Sequence, residues 1–501
     1  MNKSGYLLGI DVGSSYVKAT LVEVRSGRSL ASSQSPPEEM AMVSWQPGWA
    51  EQDPQMWWDH VVISVRTCIA KSNISISAIQ AIGISYQMHG LVLVGKDLEV
   101  LRPSIIWCDS RAVAIGDHTF NKLGEEFCLR HYLNSPGNFT ASKLRWVREN
   151  EPELYKRIHK AMLPGEYIAM KLTGEILTTD SGLSEGIFWD YAKEGLATEL
   201  LLEYGIEERL LPTLTKVFSN QGKITPSASA ELGLPKDTII SYRAGDQPNN
   251  AFSLGVVNPG ETAATAGTSG VIYSVSDQDI FDQRSRVNTF VHVSNEPGKK
   301  RNGVLLCVNG TGILNRWLRK NLSGEGDQLY SYDKMNALAN DAAVGAEGLS
   351  FLPFGNGAER ILQNKMIGSS LHGLDFNRHT QSHILRASQE GIVFAMKYGL
   401  EILEEMGLKT KVIKAGHANM FLSPLFREAF VNTTGVPLEL YDTDGATGAA
   451  LGAGLGAGIY VSFSEVFQGL RRRESQEPAS NLSEKYLHSY AHWRQILNNY
   501  L

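Results

Sequence analysis

The chain carries one short arrangement twice: a β-type run, a turn of glycine and hydroxyl residues, then a second β-type run. Tyr6–Ile10 breaks at Asp11-Val12-Gly13-Ser14-Ser15 and resumes as Tyr16–Val22. About half a chain later, Glu261–Ala266 leads into Gly267-Thr268-Ser269-Gly270, and Val271–Val275 follows. Gly13 supplies the freedom such a turn needs. The echo predicts a duplicated domain with a boundary near Asn250–Pro259. Between and after the two turns, strand patterns (Ala81–Ser85, Gly90–Val94, Lys411–Lys414) alternate with helical ones (Leu144–Asn150, Gly312–Lys320, Gln381–Gly407, Ser423–Thr434). That alternation predicts an α/β architecture. Beyond Phe463 the chain turns charged (Arg471-Arg472-Arg473-Glu474) and then helical, which predicts a C-terminal helical appendage. The expected division is 1–254, 255–462 and 463–501.

Size agrees with duplication. The 501 residues exceed the roughly 250–300 that a single core supports. The 48 glycines follow no collagen period, so they belong to turns and close packing. A net charge of −6 leaves no basic footprint for nucleic acid. Cys68, Cys108, Cys128 and Cys307 lack C-x-x-C spacing and read as reduced thiols of a cytosolic protein. The apolar run Ala446–Val461 is studded with glycine and falls short of the ~20 residues of a membrane span. The stretch before Asp11 is too short for a signal peptide.

Several residues carry candidate chemistry beside plainer readings. The amides and hydroxyls of Gly13, Ser14 and Ser15 can donate to phosphate oxygens, and Asp11 can hold a water-sheathed Mg²⁺. The plainer reading is a β-hairpin turn. Two such turns would grip a triphosphate, although neither matches the P-loop or dinucleotide patterns. Asp246, after the apolar run Thr238–Tyr242, is placed either as a general base or as a turn cap. Gln87-Met88-His89-Gly90 interrupts two strands and suggests a site wall; His89 also reads as a turn histidine satisfied by backbone. Asp109 and Arg111 read as a structural ion pair. Gly448, Gly452 and Gly456 fall at helical spacing and predict close packing of a small-residue face.

Taken in order, these segments resemble the FGGY carbohydrate kinases, most closely their xylulokinase branch. The carriers are Gly9–Ser15, Gly48–Pro54 with Trp57-Trp58, Gly83–Gly90, and Arg102-Pro103 leading to Trp107–Arg111. Gly245-Asp246-Gln247, Gly267–Gly270 and Phe351–Phe354 complete the set. The resemblance implies two actin-like, ribonuclease-H-like domains around a central cleft. It also implies ATP-dependent phosphorylation of a sugar hydroxyl, D-xylulose first among acceptors. Another pentulose, a hexulose, a polyol or a sugar acid stands as the alternative, and an inactive sugar or nucleotide sensor as a third reading. The N-terminal domain would carry the sugar, the first phosphate loop and the base; the C-terminal domain would carry the nucleotide.

By the same resemblance Asp246 falls on the catalytic base, and Asp11 on the acid that organises Mg²⁺. Met88, His89 and Gln247 fall on the sugar contacts. Gly13, Ser14, Ser15, Gly267, Thr268, Gly312, Gly416 and Asn419 fall on nucleotide contacts. Homodimers are frequent in the family. Three stretches depart from its pattern: Lys414-Ala415-Gly416 where a Gly-Gly pair is usual, Gly357-Ala358-Glu359-Arg360 for Gly-Glu-Arg, and Tyr242-Arg243-Ala244 before the base.

Overall fold

The computed structural model describes residues 5–323 and 329–501. Contacts divide the chain into two units. One comprises Met1–Val257, Phe290–Asn302 and Thr443–Leu470; the other comprises Asn258–Thr289, Gly303–Asp442 and Arg471–Leu501.

The first unit is built on β1 (Tyr6–Val12), β2 (Val17–Glu23), β3 (Arg28–Ser35), β4 (Ile79–Tyr86) and β5 (Ile239–Gly245), in the order β5-β4-β1-β2-β3. β1 pairs antiparallel with β2 and parallel with β4, and β5 lies parallel to β4. Leu7, Leu8, Ile10 and Val12 have no solvent exposure, as a strand covered on both faces requires. In the second unit, β6 (Thr262–Ala266) and β7 (Gly270–Ser276) form the second hairpin. With β8 (Asn302–Val308), β9 (Ile413–Gly416), β10 (Leu438–Tyr441) and β11 (Arg472–Gln476), its sheet includes the order β8-β7-β6-β9-β10-β11. The hairpin followed by two parallel strands is thus repeated: β6 pairs parallel with β9, and β9 with β10. The duplication expected from the two turns is present in the strand order.

The units differ from the three linear blocks expected from the sequence. Helix Gly445–Gly456 packs on the first unit's sheet, because glycines on both surfaces let the backbones approach. A β-carbon on Gly9 would collide with Ala446 O, and one on Gly83 with Ala449 O. From the helix side, Gly448 lies against Ser253 and Gly452 against the Tyr242 ring. Glycine weakens an isolated helix by about 1 kcal/mol per residue. Here that loss is offset by burial of Ala449, Ala450, Leu451 and Ala453 with Leu7 and Ala81. The C-terminal segment is not purely helical either. Before helix Ser480–Asn498 it supplies β11, paired antiparallel with β10. Trp493 of that helix is fully buried and donates from its indole nitrogen to Phe351 O at 2.9 Å. Among the described residues no helix is long and apolar enough to cross a membrane.

Candidate active site

β5 ends at Gly245, and Asp246 is the first residue of helix Asp246–Ser253. A β-carbon at Gly245 would lie 2.5 Å from both Met88 Cγ and Glu185 Oε2, so glycine is needed for this approach rather than for a left-handed turn. Gln247 Nε2 donates to Asp246 Oδ2 at 3.1 Å. Burial is the main cause that raises the Asp246 carboxyl to about 7; repulsion from Asp11 adds to it and the Gln247 hydrogen bond opposes it. Asp11 lies on β1 opposite Ser85 of β4, and its own pKa is raised, chiefly by burial, with Asp444 adding repulsion. Gly445 abuts Asp11 so closely that a β-carbon there would collide with the carboxylate. Asp444, the cap of that glycine-rich helix, accepts from Thr447 N at 2.8 Å and pairs with Lys18. Burial works against the Asp444 carboxylate, but Lys18 and the Thr447 bonds together hold its pKa below the usual value.

The Gln87–Gly90 turn follows β4. Met88 and Gln87 are buried, and His89 adopts φ +61°, which side-chain-bearing residues rarely do. Two groups hold it there. The Glu185 carbonyl accepts from His89 Nδ1 at 2.8 Å, and Lys143 Nζ donates to His89 O at 2.9 Å. The imidazole packs edge-on against Phe139 at 4.9 Å and lies 5.3 Å from Phe290. A backbone carbonyl thus holds His89 in the turn at its Nδ1, and a lysine ammonium holds it at its own carbonyl. Glu185 is wholly buried, with both carboxyl oxygens shut away from solvent. Burial first, then repulsion from Glu166 and Asp246, raises its pKa well above the ordinary carboxylate range.

A second wall comes from Trp107–Arg111. Arg111 grips Asp109 through Nε to Oδ1 at 3.0 Å and Nη2 to Oδ2 at 2.7 Å, the pairing expected from the sequence. Its guanidinium also lies over Trp49, 3.8 Å from the ring centroid, and reaches Glu51 at 2.7 Å. Trp107 Nε1 donates to Ser14 Oγ at 3.3 Å. The first turn is further fixed by Gly13 N donating to Tyr16 O at 3.0 Å and Gln52 Nε2 to Ser14 O at 2.7 Å. Gly13 does not use a positive φ, contrary to the expectation that it supplies turn freedom. A β-carbon there would sit 3.1 Å from Tyr16 O, so it keeps the turn narrow.

The second unit holds a cavity of about 390 Å³, a size typical of small-molecule sites. Gly267, Thr268, Gly312 and Asn419 line it together, joined by Arg316, Asp333 and Asn336, which the sequence reading missed. Gly312 N donates to Gly267 O at 2.8 Å and Ile313 N to Thr268 O at 3.1 Å. Gly416 ends β9 and is not part of the lining, whereas Asn419, at φ +54°, is. The altered Glu359-Arg360 stretch also has a use here: Glu359 is fully buried and accepts from Asn309 N at 3.1 Å, bracing the loop that leads to Gly312.

Among the described residues no three His, Cys, Asp or Glu side chains form a ready metal cage. Mg²⁺ does not need one, since it keeps waters and phosphate oxygens and takes one or two carboxylates. Asp11, partly buried and repelled by Asp444, is a carboxylate whose ionised form a divalent cation would stabilise. The residues present fit such an ion.

A model of the FGGY family of carbohydrate kinases, N-terminal domain, matches residues 6–253, and the C-terminal domain model of the same family matches residues 262–459. The xylulose kinase of Bacillus subtilis (strain 168) is 28% identical over 490 residues, covering 96% of this chain and 94% of that protein. The crystal structure of ligand-bound xylulose kinase from Lactobacillus acidophilus shares the fold, with TM-score 0.88 at 24% identity and coverage of 99% and 98%. The gluconate kinase structure from Lactobacillus acidophilus matches at TM-score 0.87 and 25% identity, with the same coverages.

Proposed function

The chain belongs to the FGGY family of carbohydrate kinases, and from that premise we propose that it transfers the γ-phosphoryl group of ATP to a terminal hydroxyl of D-xylulose, giving D-xylulose 5-phosphate. The observation that carries this reading is Asp246: a partly buried carboxyl poised near neutrality, electrostatically coupled to Asp11 and following Gly245, which packs against Met88. Asp246 accepts the proton of the attacking hydroxyl as that oxygen forms its bond to phosphorus and the bond to the ADP leaving oxygen breaks. Gln247 orients the base, and Met88 and His89 bind the sugar. Gly13, Ser14 and Ser15 offer hydrogen-bond donors to phosphate oxygens. Gly267, Thr268, Gly312 and Asn419 bind the nucleotide, with Gly416 at the margin. Mg²⁺ held at Asp11 would supply charge neutralisation for the phosphoryl oxygens. The N-terminal part of the chain is thus the sugar and base domain and the C-terminal part the nucleotide domain, in a cytoplasmic enzyme.

Acceptors related to the other likeness, to gluconate kinase, meet an obstacle here. Once ionised, Asp246 repels a substrate carboxylate placed near the attacking hydroxyl, so a neutral ketose is favoured over a sugar acid. The test is ADP release over D-xylulose, D-ribulose, a hexulose, a polyol and D-gluconate. D-xylulose is expected to give the highest kcat/KM; turnover of another acceptor with D-xylulose inert would refute the assignment.

The pH profile adds a second check. Asp246 must be ionised to act, so kcat/KM for the sugar falls as pH drops through an acid limb. That limb belongs to the coupled Asp246–Asp11 pair and lies at or below about 7. A cation beside Asp11 favours the ionised form, so raising Mg²⁺ moves the limb to lower pH. A limb that ignores Mg²⁺ would contradict the pairing.

A further inference from the structure

Lys143 is a buried cation that the reaction scheme leaves unused. It sits on helix Thr140–Asn150 with no solvent exposure. A buried ammonium is costly, and an apolar side chain of similar length would fill the space without that cost. Its bonds show what the charge does instead. Nζ donates to His89 O at 2.9 Å and to Ile106 O at 2.9 Å. Those two carbonyls lie on separate segments, the Gln87–Gly90 turn and the loop that opens into Trp107–Arg111. Ile106 O also accepts from Asp109 N at 3.2 Å, so the ammonium reaches the base of that loop.

The His89 end explains why a cation is needed. A non-glycine residue at φ +61° is strained and persists only where its surroundings over-determine it. The Glu185 carbonyl fixes the imidazole, Phe139 and Phe290 fix the ring faces, and Lys143 fixes the carbonyl. Of these, Lys143 alone also ties the turn to the Ile106 loop. We propose that Lys143 is a positioning residue for the acceptor sugar: it pins the left-handed His89 turn to the Ile106 loop and so presents Met88 and His89 to the sugar. The assignment rests on the sugar-kinase reading above.

The groups that face the ammonium are Asp109, Cys108 and Arg111. Burial lowers the Lys143 pKa to about 8, against the opposing pull of Asp109. The charge is therefore present below about pH 8 and lost above it.

The test compares Lys143→Met and Lys143→Arg with the unmodified enzyme, using D-xylulose and ATP. Lys143→Met is expected to raise the sugar KM roughly 10–100-fold, the scale of hydrogen bonds to a charged group. kcat should change only a few-fold and the ATP KM not at all. In a Met88→Ala, His89→Ala background the same substitution should add little further loss, because it acts through those two side chains. Additive losses, or equal losses on ATP, would show a general structural role and overturn the proposal. If Lys143→Met does not fold, the pH profile decides. The sugar KM of the unmodified enzyme should rise above about pH 8, and that rise should vanish in Lys143→Arg, whose guanidinium stays charged. A flat profile overturns the proposal. An unmodified enzyme without sugar-dependent ADP release would refute the kinase reading and this assignment with it; normal turnover with a sugar KM unmoved by Lys143→Met refutes this assignment alone.

Discussion

Asp246→Asn is expected to lower kcat by roughly 10²–10⁴-fold or more, the usual scale of a positioned base, while the sugar and ATP KM values stay within a few-fold. The substitution is nearly isosteric, so the packing of Gly245 against Met88 and Glu185 is preserved. Asparagine still meets the Gln247 amide but cannot take a proton. It also removes a carboxylate that Asp11 repels, so cation binding at Asp11 is kept or strengthened. A coupled assay for ADP gives kcat, and calorimetry shows whether sugar still binds. Near-native kcat in a folded variant would remove Asp246 from its role. Equal loss of sugar affinity and turnover would recast it as a binding residue.

Gly312→Ala is expected to raise the ATP KM about 5–150-fold and to leave the sugar KM unchanged. The added methyl would collide with Gly267 O, the acceptor for the Gly312 amide. Overpacking of this kind costs about 1–3 kcal/mol. Here it separates the two segments that line the 390 Å³ cavity, since the neighbouring bond from Ile313 N to Thr268 O depends on the same approach. Initial rates over ATP at saturating sugar measure the effect. An unchanged ATP KM would remove Gly312 from the nucleotide site.

Several strands and helices were legible because their signals are local. β1 and β6 are apolar runs ended by turn residues, and Gln381–Glu405 shows one long helical period ending near a glycine. The Asp109–Arg111 pair was legible because the partners are two residues apart. What stayed hidden depends on partners far along the chain. Lys143 meets His89 across 54 residues, and Glu185 meets it across 96. No periodicity marks either one. β11 was hidden for another reason: Arg472–Gln476 is a charged strand, as strands at a sheet boundary often are, and lacks the apolar run by which strands are recognised. The discontinuous first unit was hidden because Gly448 and Gly452 advertise close packing without saying against which sheet.

That discontinuity matters on the ribosome. β1, β4 and β5 are all synthesised by residue 245, but the helix that covers Leu7 and Ala81 begins only at Gly445. At ~5–20 residues per second the intervening stretch takes roughly 10–40 s to emerge. For that interval a face selected to be flush against backbone, with glycine at positions 9 and 83, stands open to solvent or to chaperones. The N-terminal half therefore cannot mature as an independent domain while the rest is being made.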